Sequence, residues 1–314
     1  SMELYYLFLC RTYDYNSRRK ITILFYIFLV IIPLTGEGKM YCKFFGLKEK
    51  PFNITSDPAF FFLSNKHKEA LVHLHYGVSQ RKGIILLTGE IGTGKTTLCR
   101  FFLNELGKDV KTAFILNPHF SETQLLESIV ADFGIKSRGK GKLELIRGLN
   151  NFLLKESGKG NNVVLIIDEA HNLKPELLEQ IRLLSNLETE KEKLLQIILV
   201  GQPELSERLE LYELKQLRQR IMVKYHILPL EGQEIDDYIR HRLKTAGSSE
   251  IRIEFSKEAI QAVSDFSSGM PRLINMVCDR ALLSGFADET MNIGQEIIDR
   301  CINELSDYPA GDKS

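Results

Sequence analysis

Residues 83–100 read GIILLTGEIGTGKTTLCR. Ile84, Ile85, Leu86 and Leu87 form a short unbroken apolar run, the pattern of a strand covered on both faces. Gly89, Glu90, Ile91, Gly92, Thr93, Gly94, Lys95 and Thr96 follow and fit G-x-x-x-x-G-K-[ST] at every specified position. Glycines at 89, 92 and 94 let successive backbone N–H groups turn inward around phosphate oxygens, and a helix starting near Gly94 adds its positive end. Lys95 is placed to reach the β- and γ-phosphates and the Thr96 hydroxyl to ligate Mg²⁺, with Thr97 closing the binding segment. A glycine-rich strand-turn-helix connection without a ligand is the plainer alternative. The strand before, the helix after and an acidic motif downstream decide for a nucleotide triphosphate, ATP.

That downstream motif is residues 163–171, VVLIIDEAH, an apolar strand ending in two carboxylates. Asp168, at the carboxyl end of the strand, is placed to hold Mg²⁺ through water. Glu169 can polarise a water for in-line attack on the γ-phosphate, the step that separates a hydrolase from a nucleotide binder. His171 reads as structural. Residues 194–200 form another buried strand, and Gln202 just beyond it is the candidate polar group between the metal and the attacking water. Residues 214–220 read as helical before a strand at 221–228. Arg218 and Arg220 there either make surface ion pairs or send one guanidinium into a neighbouring subunit's site.

Strand signals cease after Pro229, and helices are expected at 235–246, 256–266, 271–286 and 293–305. Arg272 sits at a helix start, where a positive side chain opposes the helix dipole; an anionic partner, the γ-phosphate, offsets that cost. Earlier in the chain, residues 41–63 are aromatic-rich and punctuated by Pro51 and Pro58, which suits an extended linker over the core. Residues 67–80 put Ala70, Leu71, Leu74 and Val78 on one helical face. His73 and His75 do not share that face and make a poor metal pair. A helix opens after Ser121, with Gln124 completing a capping box. The basic loop 136–142 reads as solvated, with phosphate-backbone contact as the alternative.

The chain has 314 residues, enough for one large α/β domain and a small second one, and 44% hydrophobic content is ample for a buried core. Forty-one basic and 41 acidic residues cancel, so any nucleic-acid site has to be local. The five cysteines are scattered without a C-x-x-C pair, which reads as reduced thiols in a cytoplasmic protein. Residues 21–32 form an apolar run behind several basic residues, shorter than the ~20 a membrane span needs. A membrane anchor, a targeting peptide and sequence upstream of the true start compete, and the last is favoured because Met40 opens a segment that reads as a complete domain.

With these motifs in hand, the sequence resembles the AAA+ ATPases, and within them the general secretion pathway protein A family, over residues 40–305. The likeness rests on MYCKFFGLKEKPFNITSDPAFFFLS, LLTGEIGTGKTTL, VVLIIDEAHNL, LVGQPEL, LRQRI and SGMPRLIN. It implies a P-loop NTPase parallel-sheet core at 40–229 and a helical lid at 230–306, flanked by an extension at 1–39 and a disordered tail at 307–314. It also implies that Asp168 and Glu169 are the Walker B pair and Gln202 lies at the sensor-one position. Arg220, or Arg218, is then the arginine finger and Arg272 the sensor-two arginine. The expected protein is a short form lacking the family's periplasmic domain. It would be a Mg²⁺-dependent, homo-oligomeric ATPase serving a secretion or pilus-type assembly, cytoplasmic or associated with the inner membrane. The same module resembles the helper ATPases of DNA transposition, so an ATP-dependent DNA-associated helper is the alternative.

Overall fold

The computed structural model describes residues 40–116, 120–136, 141–247 and 253–307. Residues 1–39 with their apolar run, 117–119, 137–140 of the basic loop, 248–252 and 308–314 lie outside the described residues. In chain order the elements are α1 (Met40–Phe45), α2 (Asn65–Ser79), β1 (Ile84–Gly89), α3 (Lys95–Glu105), β2 (Val110–Ile115), α4 (Glu122–Asp132) and α5 (Lys142–Ser157). There follow β3 (Asn162–Ile167), α6 (Pro175–Leu184), β4 (Gln196–Gly201), α7 (Pro203–Leu209), α8 (Lys215–Arg218) and β5 (Ile221–Ile227). The C-terminal part holds α9 (Gln233–Ala246), β6 (Glu254–Phe255), α10 (Lys257–Ser267), α11 (Pro271–Ala287), β7 (Asn292–Ile293) and α12 (Gln295–Asp307).

Five strands make one parallel sheet in the order β2-β3-β4-β1-β5. Parallel strands need crossovers, and the helices supplying them cover both faces of the inner strands β1, β3 and β4, which is why those sequences are apolar without alternation, whereas the edge strand β5 alternates buried and exposed residues. The pleat nevertheless sorts them. Ile84, Leu86, Leu165, Ile167, Ile197 and Leu199 pack with α4, α5 and α6 in one core. Ile85, Leu87, Val164, Ile166, Ile198 and Val200 pack with α2 and α3 on the other face. Full burial of each such side chain stabilises the fold by about 1.5–3 kcal/mol. Register then fixes the site: Leu199 lies opposite both Leu86 and Ile167, so β1, β3 and β4 end along one edge of the sheet. The P-loop, the Asp168–Glu169 pair and Gln202 all leave from that edge.

Local signals set the helix starts. Ser64 accepts from the His67 backbone N–H, the Ser121–Gln124 capping box forms in both directions, and Ser256 accepts from Ala259. Proline opens α6, α7 and α11, where the missing N–H costs nothing.

Two expectations need correction. Residues 41–63 are not extended throughout, because they begin with α1. Tyr41, Phe45, Phe52 and Phe60 also share a core with α9 to α12, although the sequence boundary at Pro229 groups them with the α/β part. The aromatic content carries no period that distinguishes a helix from a linker. Nor do strands cease after Pro229, because β6 and β7 pair in parallel over two residues each, too few to show alternation. Tyr41 Oη donates to Asp279 Oδ1 (2.5 Å), and Arg242 of α9 donates to Pro51 O (2.5 Å) and Asn53 O (2.9 Å), so the segment before α2 is sewn to the C-terminal helices.

Among the described residues no helix is long and apolar enough to cross a membrane. Cys42, Cys99, Cys278 and Cys301 are buried thiols outside any disulfide among the described residues.

Candidate active site

The strand edge opens into a cleft of about 280 Å³ between the sheet and the C-terminal helices. Its floor is the loop after β1, and Glu169 and Gln202 enter from β3 and β4. Leu230, Tyr238 and Arg272 face them from the helical side, and residues 54–57 with Phe60 to Phe62 close one end.

Within the loop, Gly92 and Gly94 adopt left-handed φ of 85° and 91°, which turns consecutive N–H groups the same way. At Gly89 the constraint is space, since a Cβ there would lie 2.8 Å from Ile227 O on the neighbouring strand. Lys95 is buried, and its Nζ donates to Gly89 O (2.7 Å) and Glu90 O (2.8 Å), a tether that holds the ammonium over the loop. Burial pushes the Lys95 pKa below the usual lysine value; Glu169, Asp168 and Glu90 pull it back only in part.

Thr96, in the first turn of α3, donates through Oγ1 to Asp168 Oδ2 at 2.6 Å. Asp168 is 1% exposed, and its other oxygen accepts from the Glu169 backbone N–H (2.9 Å). A hydroxyl and a carboxylate are the hard oxygen donors that suit Mg²⁺, which keeps several waters and needs few protein ligands when phosphates are present. No cluster of three or more His, Cys, Asp or Glu side chains able to hold a metal occurs among the described residues. The two protein oxygens of Thr96 and Asp168 fit an ion shared with a nucleotide.

Glu169 has a left-handed φ of 52°, unusual for a side chain of its size, in the turn that leads to the 3₁₀ segment Ala170–Asn172. Its Oε2 lies 3.4 Å from His171 Nε2. On the helical side, Arg272 lies so close to the loop that a Cβ on Gly92 would come within 2.6 Å of Arg272 Cβ. The two arginines before β5 separate. Arg218 pairs with Glu210, whereas Arg220 makes no ion pair among the described residues and does not line its own chain's cleft.

Three contacts were not legible in the sequence. His67 is buried, with Nε2 3.0 Å from Thr93 O and Nδ1 2.7 Å from Ser64 Oγ. The carbonyl can only accept, so Nε2 carries the proton and ties the P-loop to the cap of α2. Burial lowers this imidazole's pKa from the ordinary 6.5. Arg208 of α7 donates to the carbonyls of His171 and Leu173, fastening the turn after β3 to the helix after β4. Arg242, buried beside Phe60 and Tyr238, braces the end of the cleft through the bonds to Pro51 and Asn53. No spacing motif marks these residues, because each acts across elements distant in sequence. His73 and His75 go elsewhere, to Tyr225 and to Glu105 and Phe102.

A five-stranded parallel sheet of this order, a P-loop after β1 between β4 and β5, paired acids at the next strand end but one and a helical region over the cleft define an AAA+ ATPase. The AAA domain family matches residues 78–209. The chain is 46% identical over 249 residues to general secretion pathway protein A of Aeromonas hydrophila, covering 79% of this chain and 45% of that protein. It belongs to the general secretion pathway protein A family of AAA+ ATPases, and it spans about half the length of the curated relative it matches. Solved structures share the fold at low identity. The Aeropyrum pernix ORC2 protein in its ADPNP–ADP complexes aligns with a TM-score of 0.61 at 16% identity, covering 82% of this chain and 72% of that one. Cdc6p from Pyrobaculum aerophilum gives 0.61 at 18%, covering 79% and 71%. The Thermotoga maritima RuvB Holliday junction branch migration motor gives 0.51 at 19%, covering 76% and 68%.

Proposed function

We propose that this chain hydrolyses ATP with Mg²⁺ in a homo-oligomer and that the cycle drives a secretion or pilus-type assembly from the cytoplasmic side of the membrane. The observation that carries the reading is the Thr96–Asp168 contact at 2.6 Å beside the buried Lys95, which brings the two halves of a nucleotide–metal site together. In this reading the N–H groups of residues 89–97 and Lys95 hold the phosphates, and Thr96 and Asp168 hold the ion. When bound, Mg²⁺ supplies neutralisation of the charge on the β- and γ-phosphates. Glu169 accepts a proton from water as its oxygen attacks the γ-phosphorus in line, the bond to the β-phosphate oxygen breaks, and ADP and inorganic phosphate leave. Gln202 and Arg272 touch the γ-phosphate from opposite walls. Arg220 reaches the cleft of the next subunit, and it is favoured over Arg218 because among the described residues Arg218 is spent on an ion pair with Glu210 and Arg220 makes none.

The role in secretion is supported by the 46% identity to the Aeromonas protein. No specific observation among the described residues favours the DNA-associated alternative, and Lys142 at the end of the basic loop is paired with Glu122. The deciding experiment is Glu169→Gln, which should bind ATP with wild-type affinity and lose turnover, while Lys95→Ala should lose nucleotide binding. Wild-type hydrolysis by Glu169→Gln overturns the base assignment.

A further inference from the structure

His171 belongs to none of the roles above, yet its ring stands between two of them. Nε2 lies 3.4 Å from Glu169 Oε2 and 2.9 Å from the side-chain amide of Gln202, and Nδ1 lies 3.4 Å from the Gln202 backbone nitrogen. The backbone of the same turn is pinned by Arg208, which reaches the carbonyls of His171 and Leu173 from α7. Gln202 is the residue that caps α7. Ring and backbone thus join the ends of β3 and β4 into one unit.

The chemistry of the contacts fixes where the proton sits. A backbone N–H can only donate, so Nδ1 accepts from Gln202 N–H and the ring carries its proton on Nε2. That single N–H faces the Glu169 carboxylate and the Gln202 amide together. Two N–H groups cannot face each other, so the amide turns its oxygen to His171, and a half-turn of the amide exchanges its two ends at no cost in shape. The Gln202 NH₂ is then left pointing away from His171 with its donors unspent, and Gln202 lines the cleft.

We propose that His171 is a positioning residue that sets the polarity of this corner: its Nε2–H holds the Glu169 carboxylate and the Gln202 oxygen, so that Gln202 presents N–H donors, and not its oxygen, to the γ-phosphate. Base and phosphate reader are thereby kept in one register. This rests on the roles proposed above for Glu169 and Gln202. A misplacement of either by about 1 Å costs on the order of 100-fold in rate.

The test uses the full chain. In the unmodified protein, ¹⁵N-resolved imidazole spectra should show the Nε2–H tautomer at His171; an Nδ1–H tautomer overturns the proposal whether or not any variant folds. His171→Phe should bind ADP within about twofold of wild type, lose much of its preference for a non-hydrolysable ATP analogue over ADP, and hydrolyse ATP roughly 10- to 100-fold more slowly. His171→Gln, which returns an N–H donor near the Nε2 position, should recover part of both losses. Hydrolysis and ATP preference within twofold of wild type in His171→Phe overturn the coupling. If Glu169→Gln is inactive while His171→Phe is normal, only the coupling fails; if Glu169→Gln turns over normally, the reading of the base fails first.

Discussion

The Thr96 hydroxyl and the Asp168 carboxylate are joined at 2.6 Å, linking the first turn of α3 to the end of β3 across the floor of the cleft. A hydroxyl that donates its proton to the carboxylate keeps lone pairs for an ion, so one bond serves stability without nucleotide and aims the Thr96 oxygen for coordination with it.

Thr96→Val should therefore act in two ways. It leaves a buried carboxylate oxygen without a donor, which costs about 1–3 kcal/mol of stability. It should also lower Mg²⁺-supported hydrolysis by at least ~100-fold. Denaturant unfolding and a Mg²⁺ titration of steady-state hydrolysis measure the two effects. Unchanged Mg²⁺ dependence would remove Thr96 from the ion site.

Arg218 and Arg220 are predicted to differ. Arg220→Ala should keep nucleotide affinity and lose hydrolysis by roughly 10³- to 10⁵-fold, whereas Arg218→Ala breaks only the surface pair with Glu210 and changes the rate little. Mixing Arg220→Ala with Glu169→Gln should restore part of the activity, since one copy supplies the base and its neighbour the guanidinium. A chain that stays monomeric with ATP in size-exclusion chromatography, or a mixture as inactive as its components, would refute the shared site.

At Gly92, alanine meets two obstacles at once, the left-handed φ of 85° and a Cβ only 2.6 Å from that of Arg272. Strain of about 1–3 kcal/mol follows, and because it falls on the phosphate loop and the lid together, ATP affinity should drop by about tenfold or more. Isothermal titration of Gly92→Ala with ATP checks this, and wild-type affinity would show that the loop and Arg272 do not press on each other in the bound state.

His67 makes stability depend on pH. Its pKa is lowered by burial, so between the folded value and 6.5 the unfolded chain binds more protons. The stability it contributes is complete above 6.5 and is lost as pH falls through the folded value. His67→Gln, which keeps an N–H near Thr93 O but does not titrate, should flatten the fall in unfolding free energy between about pH 7.5 and pH 5. An identical slope in the variant would dismiss His67 as the responsible group.

Much of the site could be read directly because phosphate binding constrains a contiguous stretch. Gly89 to Thr97 carry their geometry in their spacing, and Asp168 and Glu169 announce themselves at the end of an apolar run. The buried parallel strands and the capped helices were legible for the same local reason. What stayed hidden works across the fold: His67, Arg208 and Arg242 stand in no spacing motif, because their partners lie on elements distant in sequence. Two-residue strands such as β6 have no period to detect. The place of Phe45 and Phe52 was equally unreadable, since an apolar side chain does not say which of two cores will receive it.

Because Tyr41, Phe45, Phe52 and Phe60 are sheltered by helices that end more than 200 residues later, as the 238-residue separation of the Tyr41–Asp279 bond illustrates, synthesis order matters. On a ribosome these aromatics emerge early and stay uncovered until α11 and α12 arrive, so the nascent chain is at its most adhesive while the sheet is already complete. Once assembled, the stretch 41–60 bridges the two halves of the molecule: its aromatics are held in the core of α9 to α12, while Arg100 of α3 donates to Ser56 O (3.1 Å) and ties it to the sheet side.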